Sequence, residues 1–385
     1  MIYLNCAATS MKRPPCVIDA VAKAMAGIGS SGRGAADDDL AASRVMMRCR
    51  MVLADLLGAE RPERVVFCAN ATQALNTALF GLLRPGDRVV TTVMEHNSVL
   101  RPLNVLARDR GVEVHHVGLG ADQALDLDAL EREMTPGTRL VVCTHASNLT
   151  GDVVDITRVA RRAHEVGALL LVDAAQTAGA LPIDMRSFGI DVLCFTGHKA
   201  LMGPQGTGGL VAAPSVDIEP LVHGGTGIHS ADPFQPVSWP DHLEAGTANA
   251  HGLAGLAAAA SYVSERGLDA IAAHGERLRS RFVQGARAIP GLVVHGALEA
   301  AFGHTPTVAL NLSGMASSDL ADMLAREHGI ATRAGLHCAP LMHRALGTED
   351  RGAVRFSFGC LTTDDEVDAA LSALEIIARR VKVAL

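Results

Sequence analysis

No apolar run in this 385-residue chain approaches the roughly 20 residues needed to cross a bilayer, so a membrane partner is not expected. The opening Met1-Ile2-Tyr3-Leu4-Asn5-Cys6 lacks the basic-then-apolar order of a secretory leader. Excess positive charge is also missing: the formal net charge is −7, which argues against nucleic acid as a partner. Eight cysteines, at 6, 16, 49, 68, 143, 194, 338 and 360, include no C-x-x-C pair, so neither a zinc ribbon nor a disulfide framework is expected. No metal site is predicted, and internal repeats and low-complexity tails are lacking. These absences leave a soluble, cytoplasmic globular protein as the expectation. With 49% hydrophobic and 19% charged residues, the composition suits a packed core rather than disorder. A chain of this length is expected to form two domains.

What is present is an alternation. From about residue 40 to 215, β-rich runs at 65–67, 89–92, 112–117, 140–144, 169–173, 192–195 and 209–212 are interleaved with amphipathic stretches such as 72–83, 98–110 and 156–166. That order predicts an α/β fold with a mainly parallel sheet covered on both faces. An irregular Gly/Pro-rich stretch, 214–249, interrupts it. Helical patterns at 250–265 and 268–288, strand-like 308–312, helical 318–328, strand-like 354–358 and a closing helix from about 364 then predict a smaller α+β domain.

In open α/β sheets ligands bind at the carboxyl ends of the strands. Those ends carry Glu95-His96-Asn97, His145-Ala146-Ser147-Asn148, Asp173-Ala174-Ala175-Gln176 and Thr196-Gly197-His198-Lys199. Any one of them alone reads as a cap or a solvated loop; together they bring acid, amide, imidazole and amine groups to one edge. No G-x-x-x-x-G-K-[ST] loop is present, and the glycines of 203–209 do not follow a strand and open a helix, so they read as a turn. The better anion position is Cys68-Ala69-Asn70-Ala71-Thr72-Gln73. There a helix start offers unpaired N–H groups and partial positive charge, and Thr72 adds a hydroxyl; an ordinary helix cap is the alternative. Cys68, Cys143 and Cys194 sit in apolar runs where a thiol is inert. Cys338 lies instead in Arg333-Ala334-Gly335-Leu336-His337-Cys338-Ala339-Pro340, a Gly- and Pro-punctuated stretch that reads as a loop.

Val172-Asp173-Ala174-Ala175-Gln176 followed by Thr196-Gly197-His198-Lys199 resembles the signature of class V aminotransferases among the fold-type I pyridoxal 5′-phosphate (PLP) enzymes. The NifS-like cysteine desulfurases and selenocysteine lyases are the most similar group. The resemblance runs nearly end to end: Tyr3-Leu4, Ala7-Ala8-Thr9-Ser10, Asn70 to Gln73, Met94 to Asn97, Ser147-Asn148, Glu244-Ala245-Gly246-Thr247, Arg333 to Pro340 and Val354-Arg355. It implies a fold-type I PLP-dependent transferase with a mainly parallel seven-stranded sheet. The large PLP-binding domain would span 15–250, and the small domain carrying the cysteine loop would comprise 1–14 and 251–385.

Roles follow by the same resemblance. Lys199 would hold PLP as an imine, which requires a neutral amine and hence a lowered pKa. Asp173 would pair with the pyridinium nitrogen, a cationic partner that a buried carboxylate needs. Gln176 and Asn148 would lie near the phenolic oxygen, and His96 would stack on the ring and shuttle protons. Ala71, Thr72, Thr196 and His198 would surround the phosphate, with Thr247 reaching it across a homodimer interface. Arg355 would grip the substrate carboxylate with its bidentate fork, with Asn148 and Arg333 supporting the substrate. Cys338 would attack the sulfur of L-cysteine or L-selenocysteine as a thiolate, helped by His337 or nearby cations, and pass it to an acceptor protein or small molecule. The short interval between Cys338 and Arg355 implies a compact, ordered loop.

Departures from the family pattern are Asn5-Cys6 in place of Asp-Asn, Gln73 in place of an acidic residue, Ala248 in place of proline, and no histidine after Gly32-Arg33-Gly34. Rival readings are a selenocysteine lyase, a β-lyase or aminotransferase with a structural Cys338, and an inactive sulfur-transfer scaffold.

Overall fold

The computed structural model describes residues 1–28, 37–297 and 299–384; the Gly32-Arg33-Gly34 segment lies outside them. In chain order the first elements are β1 (Ile2–Tyr3), α1 (Pro15–Gly27), α2 (Asp37–Leu57), β2 (Val65–Cys68), α3 (Ala71–Leu82), β3 (Arg88–Thr92), α4 (Asn97–Arg110), β4 (Glu113–Val117), α5 (Leu127–Glu133), β5 (Thr138–Thr144), α6 (Ile156–Glu165) and β6 (Leu169–Asp173). There follow β7 (Val192–Thr196), β8 (Gly208–Ala212), α7 (Ala250–Arg266), α8 (Leu268–Ala288), β9 (Leu292–His295), β10 (Thr307–Leu312), α9 (Ser317–His328), β11 (Ile330–Ala331), β12 (Arg333–Gly335), α10 (Pro340–Ala345), β13 (Ala353–Ser357) and α11 (Asp364–Ala384).

The seven β-rich runs of the first half form one sheet in the order β2-β8-β7-β6-β5-β3-β4. All neighbours are parallel except β8, which runs antiparallel to both β2 and β7. No helix separates β7 from β8, and a short connection returns the chain in the opposite sense. Val192, Leu193, Cys194 and Phe195 are wholly buried, as expected of a strand covered on both faces. The order of the strands reverses between β3 and β5. Loops leaving those two strands therefore turn away from each other and open a crevice.

A second, antiparallel sheet has the order β12-β13-β10-β9. Phe282 of α8 packs on Phe356 and Phe358, with ring centroids 4.7 and 5.4 Å away, and Leu4 joins this core. The N-terminal strand reaches it because β1 pairs in parallel with β11. Residues 333–335, expected as loop, are the edge strand β12, with Arg333 opposite Arg355 and Gly335 opposite Ala353. A three-residue edge strand ending on a glycine at φ 103° has no periodicity to betray it. No helix among the described residues is long and apolar enough to cross a membrane.

Candidate active site

The crevice is a cavity of about 250 Å³ at the carboxyl ends of β3, β5, β6 and β7. β6 ends on Asp173, which pairs with Cys194 of β7, and the chain beyond β7 carries Lys199 into the same space. Burial lowers the Lys199 pKa to about 8; the Asp173 charge opposes this, while Arg355 and Arg333 add to it. A substantial neutral fraction near pH 8 is what a nucleophilic amine requires. Burial pushes Asp173 upward, opposed by the Ala175 N–H and by Lys199. That N–H donates to its carboxylate at 2.9 Å. The charges of Asp173 and Lys199 support each other, each opposing the effect of burial on its partner.

At one end of the cavity lies the start of α3. Asn70 caps it, its side chain accepting from the Gln73 N–H at 3.0 Å, while Gln73 accepts from the Ala69 N–H at 2.7 Å. This reciprocal cap employs Gln73 where an acidic residue was expected. It leaves the N–H groups of Ala71 and Thr72 at the helix end, where no intrahelical acceptor exists. Thr196, 3% exposed, directs a hydroxyl with no partner into the same cavity. The cap reading holds, and because the cap uses one donor and leaves others it does not conflict with an anion at this helix start.

His96 is the N-cap of α4: its Nδ1 accepts from the Ser98 N–H at 3.0 Å. The ring is therefore protonated on Nε2 when neutral. Neutrality is favoured because burial, followed by the Lys199 charge, lowers its pKa to about 4. Ser98 Oγ also lies 2.9 Å from His96 Nδ1 and 2.7 Å from Thr72 Oγ1, linking the imidazole to the α3 start. His198 has Nδ1 3.0 Å from Thr9 Oγ1. Gln176 donates to the Ala7 carbonyl at 3.2 Å.

Arg355 stands in the middle of β13, 1% exposed. It donates to the Asn148 carbonyl at 2.8 Å and to Asn5 Oδ1 at 3.2 Å, and its Nε has no partner. All its acceptors are neutral, so the guanidinium faces the cavity with its charge uncompensated. Asn148 gives a side-chain N–H to the His337 carbonyl at 2.8 Å. Cys338 does not itself line the cavity; it is half-buried beside Arg333, which does, with Arg333 Nη2 3.9 Å from its Sγ and its carbonyl accepting from the Asn97 N–H at 2.7 Å.

The cavity thus gathers Ala71, Thr72, His96, Asn148, Asp173, Gln176, Thr196, His198, Lys199, Arg333 and Arg355. Thr247 is exposed and outside it. His145, also at a strand end, turns its buried ring edge-on to Phe188 at 6.2 Å instead. Glu95 is buried as well: it accepts from the Thr144 N–H and the Thr92 hydroxyl, tying β3 to β5, and burial raises its pKa to about 8. Among the described residues, no group of three or more His, Cys, Asp or Glu is placed to hold a metal ion.

The aminotransferase class-V family model matches residues 2–370. The chain belongs to that family. A probable cysteine desulfurase of Methanothermobacter thermautotrophicus is 35% identical over 383 residues, covering 98% of this chain and 94% of the relative. Cysteine desulfurase CsdA of Escherichia coli is 31% identical over 385 residues, covering 97% and 93% respectively. Among solved structures, the apo cysteine desulfurase of Thermococcus onnurineus aligns with TM-score 0.91 at 32% identity, covering 98% of this chain and 94% of that one.

Within this class-V chain, Ser98 lines the cavity, while Asn97 and Asn5 reach Cys338 and Arg355 from outside it, contacts that the motifs did not reveal. Asn97 and Asn5 lay inside quoted motifs, yet their partners, Cys338 and Arg355, are distant in sequence. Ser98 had no signal beyond following His96-Asn97.

Proposed function

We propose that the protein is a PLP-dependent cysteine desulfurase that converts L-cysteine to L-alanine and receives the sulfur on Cys338 as a persulfide. The observation that carries the reading is the meeting, at one cavity, of Lys199 and the buried Asp173 with Arg333, whose guanidinium lies beside the Cys338 thiol. Relatives at 31–35% identity over nearly the whole chain carry the same name.

The cavity suits the cofactor on its own chemistry. The partnerless Thr196 hydroxyl and the free α3 N–H groups fit a phosphate, and Asp173 fits a protonated pyridine nitrogen. When bound, PLP supplies an electron sink that makes the α-proton of an amino acid acidic. The Lys199 amine, in its neutral form, would be the base that takes up that proton. Arg355 orients the substrate through its carboxylate, and neutral His96 presents Nε2–H toward the cavity for proton exchange. Cys338 Sγ then forms an S–S bond to the substrate sulfur as the Cβ–S bond breaks. The carbon skeleton keeps that electron pair and takes up protons to become alanine, so cysteine plus a thiol gives alanine plus a persulfide.

The homodimer, with Thr247 crossing to the partner's site, belongs to the same proposal; its support is that Thr247 is exposed. So does the division into 15–250 and 1–14 with 251–385, supported by Leu4 lying in the core built around α8, β10, β13 and α11. Incubation with L-cysteine followed by peptide mass spectrometry tests the function. We expect persulfide on Cys338 and alanine as product, with Cys338→Ala retaining the cofactor absorption but losing sulfide release. Keto-acid product, or undiminished sulfide release by Cys338→Ala, would overturn the reading. A parallel assay with L-selenocysteine separates the lyase alternative.

A further inference from the structure

His337 and Cys338 are consecutive non-glycine residues in the left-handed region, at φ 50° and 57°. Such a pair persists only where surrounding contacts over-determine it. Two of those contacts come from the crevice loops: Asn148 holds the His337 carbonyl and Asn97 holds the Cys338 carbonyl. The third is a chain of side chains behind the loop. His337 Nε2 lies 3.0 Å from the Arg333 carbonyl, so that nitrogen donates. His337 Nδ1 is then an acceptor, and His343 Nε2, 3.4 Å away, is its donor. His343 Nδ1 must in turn accept, and Thr348 Oγ1 lies 2.7 Å from it. The same hydroxyl is 3.3 Å from the His343 carbonyl; its single proton is better used on the nearer nitrogen.

The hydrogen bonds therefore run one way, Thr348 to His343 to His337 to the Arg333 carbonyl. Only neutral rings of one tautomer satisfy it. His337 is 2% exposed and His343 is wholly buried, and burial lowers their pKa values to about 3 and about 4. The two rings lie nearly parallel, 13° apart, with centroids at 5.6 Å. Thr348 is anchored through its own carbonyl by the Gly352 N–H at 2.8 Å, just ahead of β13 and Arg355. His337 is thereby spent on holding the loop; Arg333 is the cation in contact with the thiol, and Arg355 and Lys199 act on it by charge.

We propose that His343 and Thr348 are positioning residues for Cys338: they fix the His337 ring, which fixes the left-handed turn that presents the thiol beside Arg333. The proposal rests on the desulfurase reading for what the thiol does, though not for how it is held.

The test uses the full-length holoenzyme and the variants His343→Phe, His343→Gln and Thr348→Val. Two quantities are read: the rate of Cys338 alkylation by iodoacetamide without substrate, followed by peptide mass spectrometry, and kcat and KM for alanine formation from L-cysteine. His343→Phe is expected to lower kcat about tenfold or more, as misplacement of a reacting group does, with KM within about twofold, and to change the alkylation rate at least threefold in either direction. Glutamine can both accept from Thr348 and donate to His337, so His343→Gln should recover most of both losses. Thr348→Val should fall between His343→Phe and the wild type.

A folded His343→Phe with wild-type kcat and alkylation rate would overturn the proposal, as would His343→Gln behaving no better than His343→Phe. If His343→Phe does not fold, Thr348→Val decides, and wild-type values of both quantities reject the idea. Wild-type protein that forms neither alanine nor persulfide would instead defeat the desulfurase reading. The alkylation rates would still decide whether these residues position the thiol.

Discussion

The two halves of the crevice are built differently. Asp173 closes, and Lys199 follows, a strand deep inside a mainly parallel sheet, where backbone ladders and two covered faces set their positions. Cys338 stands on a short turn after an edge strand and is held by side chains: Asn148, the His337 ring and Arg333. A ladder tolerates changes in neighbouring side chains because the backbone carries the geometry, whereas a turn in the left-handed region depends on each of its few partners. On the proposed function, the half that would hold the cofactor is set by topology and the half that would carry sulfur by individual residues, and the two should fail in different ways.

The most drastic separation is Lys199→Ala. Activity is expected to fall by on the order of 10⁴-fold or more, as for loss of a covalent catalytic group, and the lysine-dependent absorption band should vanish. Cys338 alkylation should change far less, because no hydrogen bond joins the thiol to Lys199 and only their charge interaction is lost. An equal loss of thiol reactivity would show that the halves are not independent.

Arg355→Lys acts at the seam, since Arg355 reaches both Asn148 and Asn5. Loss of the fork should raise KM for L-cysteine about 10- to 100-fold, the worth of a charged hydrogen bond or two, with kcat changed much less. Steady-state kinetics read the split; a kcat-only effect would place the substrate carboxylate elsewhere.

The third prediction concerns the sheet-borne half alone. Lys199 titrates near pH 8, lowered from 10.5 mainly by burial. Cofactor uptake by the apoprotein needs the neutral amine, so its rate should rise about tenfold from pH 7 to 9 and then level off. Stopped-flow absorbance checks the sign; a rate falling with pH would contradict the assignment. Smallest is Asn5→Asp, which gives the uncompensated Arg355 a carboxylate partner. KM should rise about three- to fivefold as the substrate competes with it, and a lowered KM would mean that Asn5 does not tune this arginine.

The difference between the halves also explains what could be read in advance. Runs such as Val192 to Phe195 are continuous because the sheet is covered on both sides, so the seven strands and the residues at their ends were legible. Edge strand β12 was not, being three residues long. Of the strand-end groups, His145 and Glu95 were drawn into the interior, which no motif distinguishes from facing the cavity. Asn5 was visible as a departure, but its partner lies 350 residues away, and the roles of His343 and Thr348 arise only when α10 folds beneath the cysteine turn.

The first ten residues have a practical consequence. Asn5 touches Arg355, the Ala7 carbonyl accepts from Gln176, Thr9 meets His198, and Ser10 donates to the Lys199 carbonyl at 2.7 Å. A protease nick or an ill-placed insertion here would disable chemistry whose reacting groups lie nearly two hundred positions and more downstream.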